Sequence, residues 1–337
     1  MDLRLLVRKD AEDYELNVGK YSSLFVNYTT NERALIQPVI DFFQPRSKMK
    51  NEISVSDIVN EYEEIASSRF RAITFTNDLL LEETKLGSKT LLKGQVKQSL
   101  LNNVEADGYI NSINVLIEDL VEQSISELPV RPRLLTYDSL IKLLEIDLGS
   151  DMLGETNHFM HQNKLLLPIL NKYLINNLNQ PGIVFFFYPE TYLSPKEQTE
   201  MHQLLQIFSE TIPVFVITKS KQFLSDRLSG LNYFIHNHQI FSKEFIEELE
   251  WNSPVNYDYN DLEKRVVTLF QRFADLLELN PTISNYTDAD VVLFTSIDLY
   301  VFVSLLFKMK FEFELNLDES RINAPVYKYI IDIYEKI

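Results

Sequence analysis

The 337-residue chain contains no cysteine. Disulfides, thiolate zinc sites and cysteine nucleophiles are therefore excluded. Glycine is scarce, at 8 residues, which favours helices and ordinary strands over tight hairpins. Positive charge is also in short supply: 32 Lys and Arg stand against 49 Asp and Glu, for a formal charge of −17. An acidic average argues against diffuse attraction to nucleic acid or anionic lipid, but it permits a segregated basic stripe. The opening MDLRLLVRKDAEDYEL has neither the apolar run nor the small-residue cleavage site of a secretory signal, so a cytoplasmic location is expected. One apolar run approaches membrane-spanning length, VVLFTSIDLYVFVSLLF at 291–307, and Thr295, Ser296, Asp298 and Ser304 interrupt it. A buried helix, not a membrane span, is expected there.

What remains is ordinary globular composition, 45% hydrophobic and 24% charged, in a chain long enough for two or three substructures. DLRLLVR, YELNV and SSLFVNY (22–28) read as strands, and TTNERALIQPVIDFF as a helix behind a Thr30 or Asn31 cap. FRAITFTND (70–78) is a further strand. From about 84 to 148 the pattern is helical, with Ile110, Ile113, Leu116, Ile117, Leu120 and Val121 on one face. PVRPR (129–133) breaks this pattern and Thr136 restarts it, suggesting a long helical hairpin. GIVFFFYPE (182–190) and IPVFVITKS (212–220) are continuous apolar strands. They are joined by a helix with Ser194 as cap, Pro195 in its first turn and Glu197 completing a capping box. That unit predicts a right-handed crossover between parallel strands buried on both faces. WNSPVNYDYN (251–260) reads as a linker, KFEFELNL (310–317) as a strand, and the rest of the C-terminal region as helices.

The stretch EETKLGSKTLLKGQ (82–95) resembles the end of a phosphate-binding loop without meeting its requirements. In the pattern G-x-x-x-x-G-K-[ST], glycines let successive amides point at phosphates, yet Glu83 and Ser88 stand at the glycine positions. The strand-to-helix turn at Tyr28-Thr29-Thr30-Asn31 also contains no glycine, so no ATP site is expected. Lys85, Lys89, Lys93 and Lys97 recur every fourth residue, which on one helix makes a single cationic stripe. No acidic residue lies between Thr84 and Val104. A one-sign stripe of this kind suits a linear polyanion. Glu190 after the 182–187 strand, His236 and His238 in FIHNHQI, and His158 and His161 in HFMH read as structural or exposed groups, not metal or catalytic sites.

The succession of elements resembles the CRISPR-associated adaptation protein of type II-A systems, a family of ring-forming binders of DNA ends. The likeness is carried by GKYSSLFVNYTTNERALIQPVIDFF, AITFTNDLLLEETKLGSKTLLKGQVKQSL, INSINVLIEDLVEQ…YDSLIKLLEI and NKYLINNLNQPGIVFFFYPETYLSPKEQTEMHQLLQIFSETIPVFVITKS, covering about residues 15–241. The remaining C-terminal residues resemble the family's long form. The resemblance implies an α/β fold: a degenerate P-loop-ATPase-like head with a mostly parallel sheet (1–80 and 153–245), an inserted helical arm (81–152), and a mainly helical C-terminal extension (246–337). It also implies a non-enzymatic homotetrameric ring that encircles double-stranded DNA without reading sequence. Such a ring serves spacer acquisition alongside the CRISPR integrase proteins and the RNA-guided effector nuclease. Lys85, Lys89, Lys93 and Lys97 take the DNA-facing role. The short forms bind calcium through an acidic run near the arm hinge; here Arg131 and Arg133 stand in that region, so no metal or other cofactor is expected and the arginines are expected to pair with nearby carboxylates. A protein-interaction scaffold and an unconventional NTPase remain the alternatives.

Overall fold

The computed structural model describes residues 2–9, 12–45, 52–88, 90–124, 130–148 and 158–336. The chain divides into two compact units, one formed by Met1–Thr74 with Leu178–Ile337 and the other by Phe75–Asn177. The second unit interrupts the first in sequence. Its limits differ from the expected 81–152, because the helix His158–Asn177 clusters with the arm and not with the head.

A five-stranded sheet forms the centre of the first unit, in the order Arg71–Thr76, Gly182–Phe187, Val214–Thr218, Tyr21–Phe25, Leu231–Asn232. The last four strands pair in parallel. The crossover is as expected: Val184 to Phe187 run beside Val214 to Ile217, connected through the helix Pro195–Ser209. Ser194 Oγ accepts from the Glu197 amide while Glu197 Oε2 accepts from the Ser194 amide, so two orphan donors at the helix start are satisfied. Every residue of Val214–Thr218 is buried, as a parallel strand covered on both faces requires.

A second, antiparallel sheet has the order Glu12–Val18, Leu3–Lys9, Ile53–Asp57, Glu63–Glu64. Its third strand escaped the sequence reading, although Ile53, Val55 and Asp57 alternate inward. Two buried asparagines join the two sheets. The Asn17 amide donates to Asn232 Oδ1 at 2.8 Å, Asn17 Nδ2 donates to the Leu231 and Phe241 carbonyls, and Asn232 Nδ2 donates back to the Asn17 carbonyl at 2.9 Å.

The C-terminal residues do not form a separate body. Helices Lys243–Asn252, Tyr259–Phe273, Ser296–Met309 and Ala324–Tyr334 share one apolar core with Phe25, Leu231 and Tyr233 of the head. Residues 251–260 are therefore a turn inside a continuous core, not a linker between domains. Leu299 to Leu306 are buried without interruption, and each apolar side chain so placed contributes about 1.5–3 kcal/mol relative to exposure. That packing explains the apolar run; among the described residues no helix is long and apolar enough to cross a membrane. The expected strand at 310–317 shrinks to Glu314–Asn316, which pairs in parallel with Thr282–Ser284.

His202, on the crossover helix, lies against the Tyr21 ring at 4.9 Å and the Phe223 ring at 6.0 Å, and its Nε2 is enclosed without a hydrogen-bond partner among the described residues. Burial holds its pKa below the ordinary value of 6.5, against the opposing pull of Asp226. Between that ordinary value and the lower folded one, the unfolded chain takes up a proton that the folded chain refuses. Stability is therefore complete above about pH 6.5 and falls as pH drops through this window. Denaturant melts at a series of pH values should show that limb in the native chain and a flatter profile in His202→Phe; identical profiles would remove His202 as its source.

Candidate nucleic-acid interface

Two segments were examined for phosphate binding by sequence, and in both the relevant donors are engaged internally. In the turn between Tyr21–Phe25 and the helix Glu32–Phe43, the Asn27 carboxamide oxygen accepts from the Thr29 amide and from the Thr29 and Thr30 hydroxyls, all at 2.8 Å. Asn27 Nδ2 donates to the Phe234 carbonyl, and Asn31 Oδ1 accepts from the Ala34 amide as the helix cap. A side-chain amide thus organises the turn that a glycine-rich loop would otherwise wrap around an anion. Glu190, at the end of the neighbouring strand, accepts from the Thr218 hydroxyl and the Lys219 amide, both at 2.8 Å, which is the structural role expected of it.

The second segment contains the lysines. Here the structure corrects the single-helix stripe. One helix, Asn77–Thr84, ends with Lys85 as its C-cap residue, and a new helix begins at Leu91 and runs to Leu101. Leu86 between them has φ 49°, a left-handed conformation that stops a helix. Lys85 pairs with Glu82 at 2.7 Å, Lys89 lies outside the described residues, and only Lys93 and Lys97 share the second helix. The break has a local cause. The buried Glu83 carboxylate accepts from the Leu91 and Leu92 amides at 2.8 and 3.0 Å, occupying the helix N-terminus where a bound phosphate would sit. Burial pushes the Glu83 pKa up, while those two amides pull it down.

Across from the second helix stands a residue that sequence spacing did not reveal. Asp138 on the short helix Tyr137–Ile141 pairs with Lys97 at 2.9 Å. Its pKa is held below the ordinary value by the Lys97 hydrogen bond and by the charges of Lys97, Lys93 and Lys142. Lys93, Lys97 and Lys142 therefore form a cationic cluster around one carboxylate, and Lys142 joins it from four residues beyond Asp138. Thr136 caps this helix through a capping box with Ser139, so the expected restart is present, though the helix is much shorter than its apolar pattern suggested.

The same unit carries an uncovered apolar face. On the helix Ala106–Ser124, Tyr109, Ile113, Leu116 and Leu120 follow i, i+4, i+7, i+11 spacing and are all exposed, Leu116 at 67%. Arg131 and Arg133 are exposed and make no ion pair among the described residues, contrary to the pairing expected of them. His236 and Asn237, at φ 48° and 66°, form the tip of a hairpin between Phe234–Ile235 and His238–Gln239. Among the described residues no group of His, Asp and Glu is arranged to hold a metal.

These features define a mixed α/β protein with a mostly parallel central sheet and a helical unit inserted in sequence. No protein-family model matches the chain, and no curated protein matches it. Among solved structures, the crystal structure of Stu0660 of Streptococcus thermophilus aligns over 98% of this chain and 100% of its own, at 14% identity and a TM-score of 0.60. The two share a fold from end to end. An ATP-binding cassette of an ABC transporter, MJ1267 in its ADP conformation, reaches a TM-score of only 0.34 at 12% identity over 76% of this chain and 97% of its own, too remote to carry an argument.

Glu83→Ala removes two charge-assisted hydrogen bonds at the helix start, a loss of about 1–3 kcal/mol. Hydrogen exchange at the Leu91 and Leu92 amides should accelerate correspondingly; unchanged protection would mean that another group caps the helix.

Proposed function

We propose that this chain is a sequence-independent binder of double-stranded DNA that acts as a homotetrameric ring, without enzymatic activity, in CRISPR spacer acquisition. In this reading the first unit is a degenerate P-loop-ATPase-like head, and the second is an arm that supplies the DNA-facing lysines Lys85, Lys89, Lys93 and Lys97. The integrase proteins and the RNA-guided effector nuclease are its partners in that process. The observation that carries the reading is the arm itself, where a cationic cluster on a strongly acidic chain occurs in the same unit as an uncovered apolar helix face. An apolar stripe of that spacing favours association, and symmetry would multiply the lysines around a common opening. Asn27 and Glu83, which occupy the two phosphate-loop positions, speak against an NTPase. A protein-interaction scaffold remains the second reading, favoured by the same apolar stripe and by the pairing of Lys97 with Asp138.

A ring that threads onto ends should bind linear duplex and spare closed-circular duplex. Its affinity should fall with salt by about 0.9 log units per phosphate contact for each decade of concentration. Lys89→Glu with Lys93→Glu should abolish binding and leave the size of the assembly unchanged. Equal binding to both topologies, or a flat salt response, would rule out the ring. Leu116→Lys with Leu120→Lys should reduce the assembly to smaller species on sizing; an unaltered elution volume would clear the stripe of that role.

A further inference from the structure

The C-terminal helices enclose a cavity of about 600 Å³, within the size range of small-molecule sites. It lies between helices Lys243–Asn252, Ser296–Met309 and Ala324–Tyr334, far along the chain from the arm lysines, and neither the turn at Asn27 nor the cluster at Asp138 lines it. Its walls are aromatic: the rings of Tyr300 and Tyr329 stand 5.1 Å apart at a tilt of 54°, and Phe245 faces them as another lining residue. Ser304, 6% exposed, presents an Oγ with no hydrogen-bond partner among the described residues, a group that burial leaves without compensation.

The charges lining the cavity are unequal. Lys308 is engaged by Glu248 and lies over the Phe245 ring at 5.8 Å from its centroid. Glu312 accepts a hydrogen bond from Asn280. Lys310 and Lys336, also on the lining, make no ion pair or side-chain hydrogen bond among the described residues. Two uncommitted ammonium groups on a chain of net charge −17 mark a place for an anion. Lys310 is moreover held at φ 58°, a left-handed helix end that closes the 296–309 helix beside the cavity.

An aromatic slot with an unsatisfied hydroxyl and two unpaired lysines suits a ligand with a flat ring at one end and a dianion at the other. We infer that this cavity is a binding site for a nucleoside monophosphate, its base against Tyr300 and Tyr329 and its phosphate at Lys310 and Lys336. The ring contact supplies stacking, which tolerates any base, and the ammonium groups supply the charge. The site is independent of the DNA reading, so each stands or falls separately.

Calorimetric titration of the full-length protein with AMP and with UMP tests it, with adenosine and inorganic phosphate as half-ligands. Both nucleotides should bind at one site per chain, and each half-ligand should bind at least tenfold more weakly. Lys310→Asn with Lys336→Gln should weaken AMP at least tenfold; asparagine tolerates the left-handed backbone at 310. Tyr329→Ala should weaken AMP and leave the response to phosphate unchanged. Circular dichroism melts would show whether each variant is folded, and Tyr329→Phe, which keeps the ring, should retain affinity. Absence of nucleotide binding to the native protein at millimolar concentration would overturn the inference. So would affinity that survives the lysine pair substitution, or phosphate binding as tight as AMP binding.

Discussion

The first unit depends on two asparagines buried between its sheets. Asn17 ends the antiparallel sheet and Asn232 the parallel one, and each satisfies the other's backbone while reaching outward to a third segment. Gln239 Nε2 donates to the remaining face of Asn232 Oδ1 at 2.7 Å, which ties in the hairpin that leads to the C-terminal helices. A single truncation here would leave several buried donors and acceptors unpaired, each at a cost of about 1–3 kcal/mol. Apolar packing alone would let the two sheets slide, because it is non-directional. The asparagine pair sets their register.

A similar use of side chains governs the places where the fold could have received a phosphate. At the head turn a carboxamide collects the free donors, and at the arm a carboxylate does so. Both solutions are intramolecular and need no ion. The positive charge that remains available on the arm is carried by flexible ammonium groups around Asp138, which can adjust to a repeating polyanion more readily than a fixed amide cradle can. The contrast between occupied backbone donors and adjustable side-chain cations separates a surface for long anions from a pocket for one nucleotide's phosphates.

How much of this was legible in the sequence depended on the distance over which each feature is determined. The crossover between Gly182 and Thr218 was readable because its apolar strands and its Ser194–Glu197 box are settled within a few residues. The buried helix at 296–309 was readable from polar residues inside an apolar run. The arm was misread as one continuous helix because the break depends on Glu83 reaching eight residues forward to Leu91, which a four-residue periodicity cannot show. Asp138 escaped notice because it stands 41 residues from its lysine. The union of the C-terminal helices with the head rests on Phe270 meeting Phe25 and Tyr233, a tertiary fact that local composition at 251–260 obscured.

The Asn17–Asn232 clasp joins residues 215 positions apart. Closing so long a loop is entropically slow, and non-local pairings of this kind delay folding more than they weaken the finished state. During synthesis the amino-terminal strands emerge long before the partner that completes them, with the whole inserted arm made in between. A nascent chain of this design waits with unpaired strand edges exposed, so its yield in a crowded cell depends on how fast translation reaches the third quarter of the sequence.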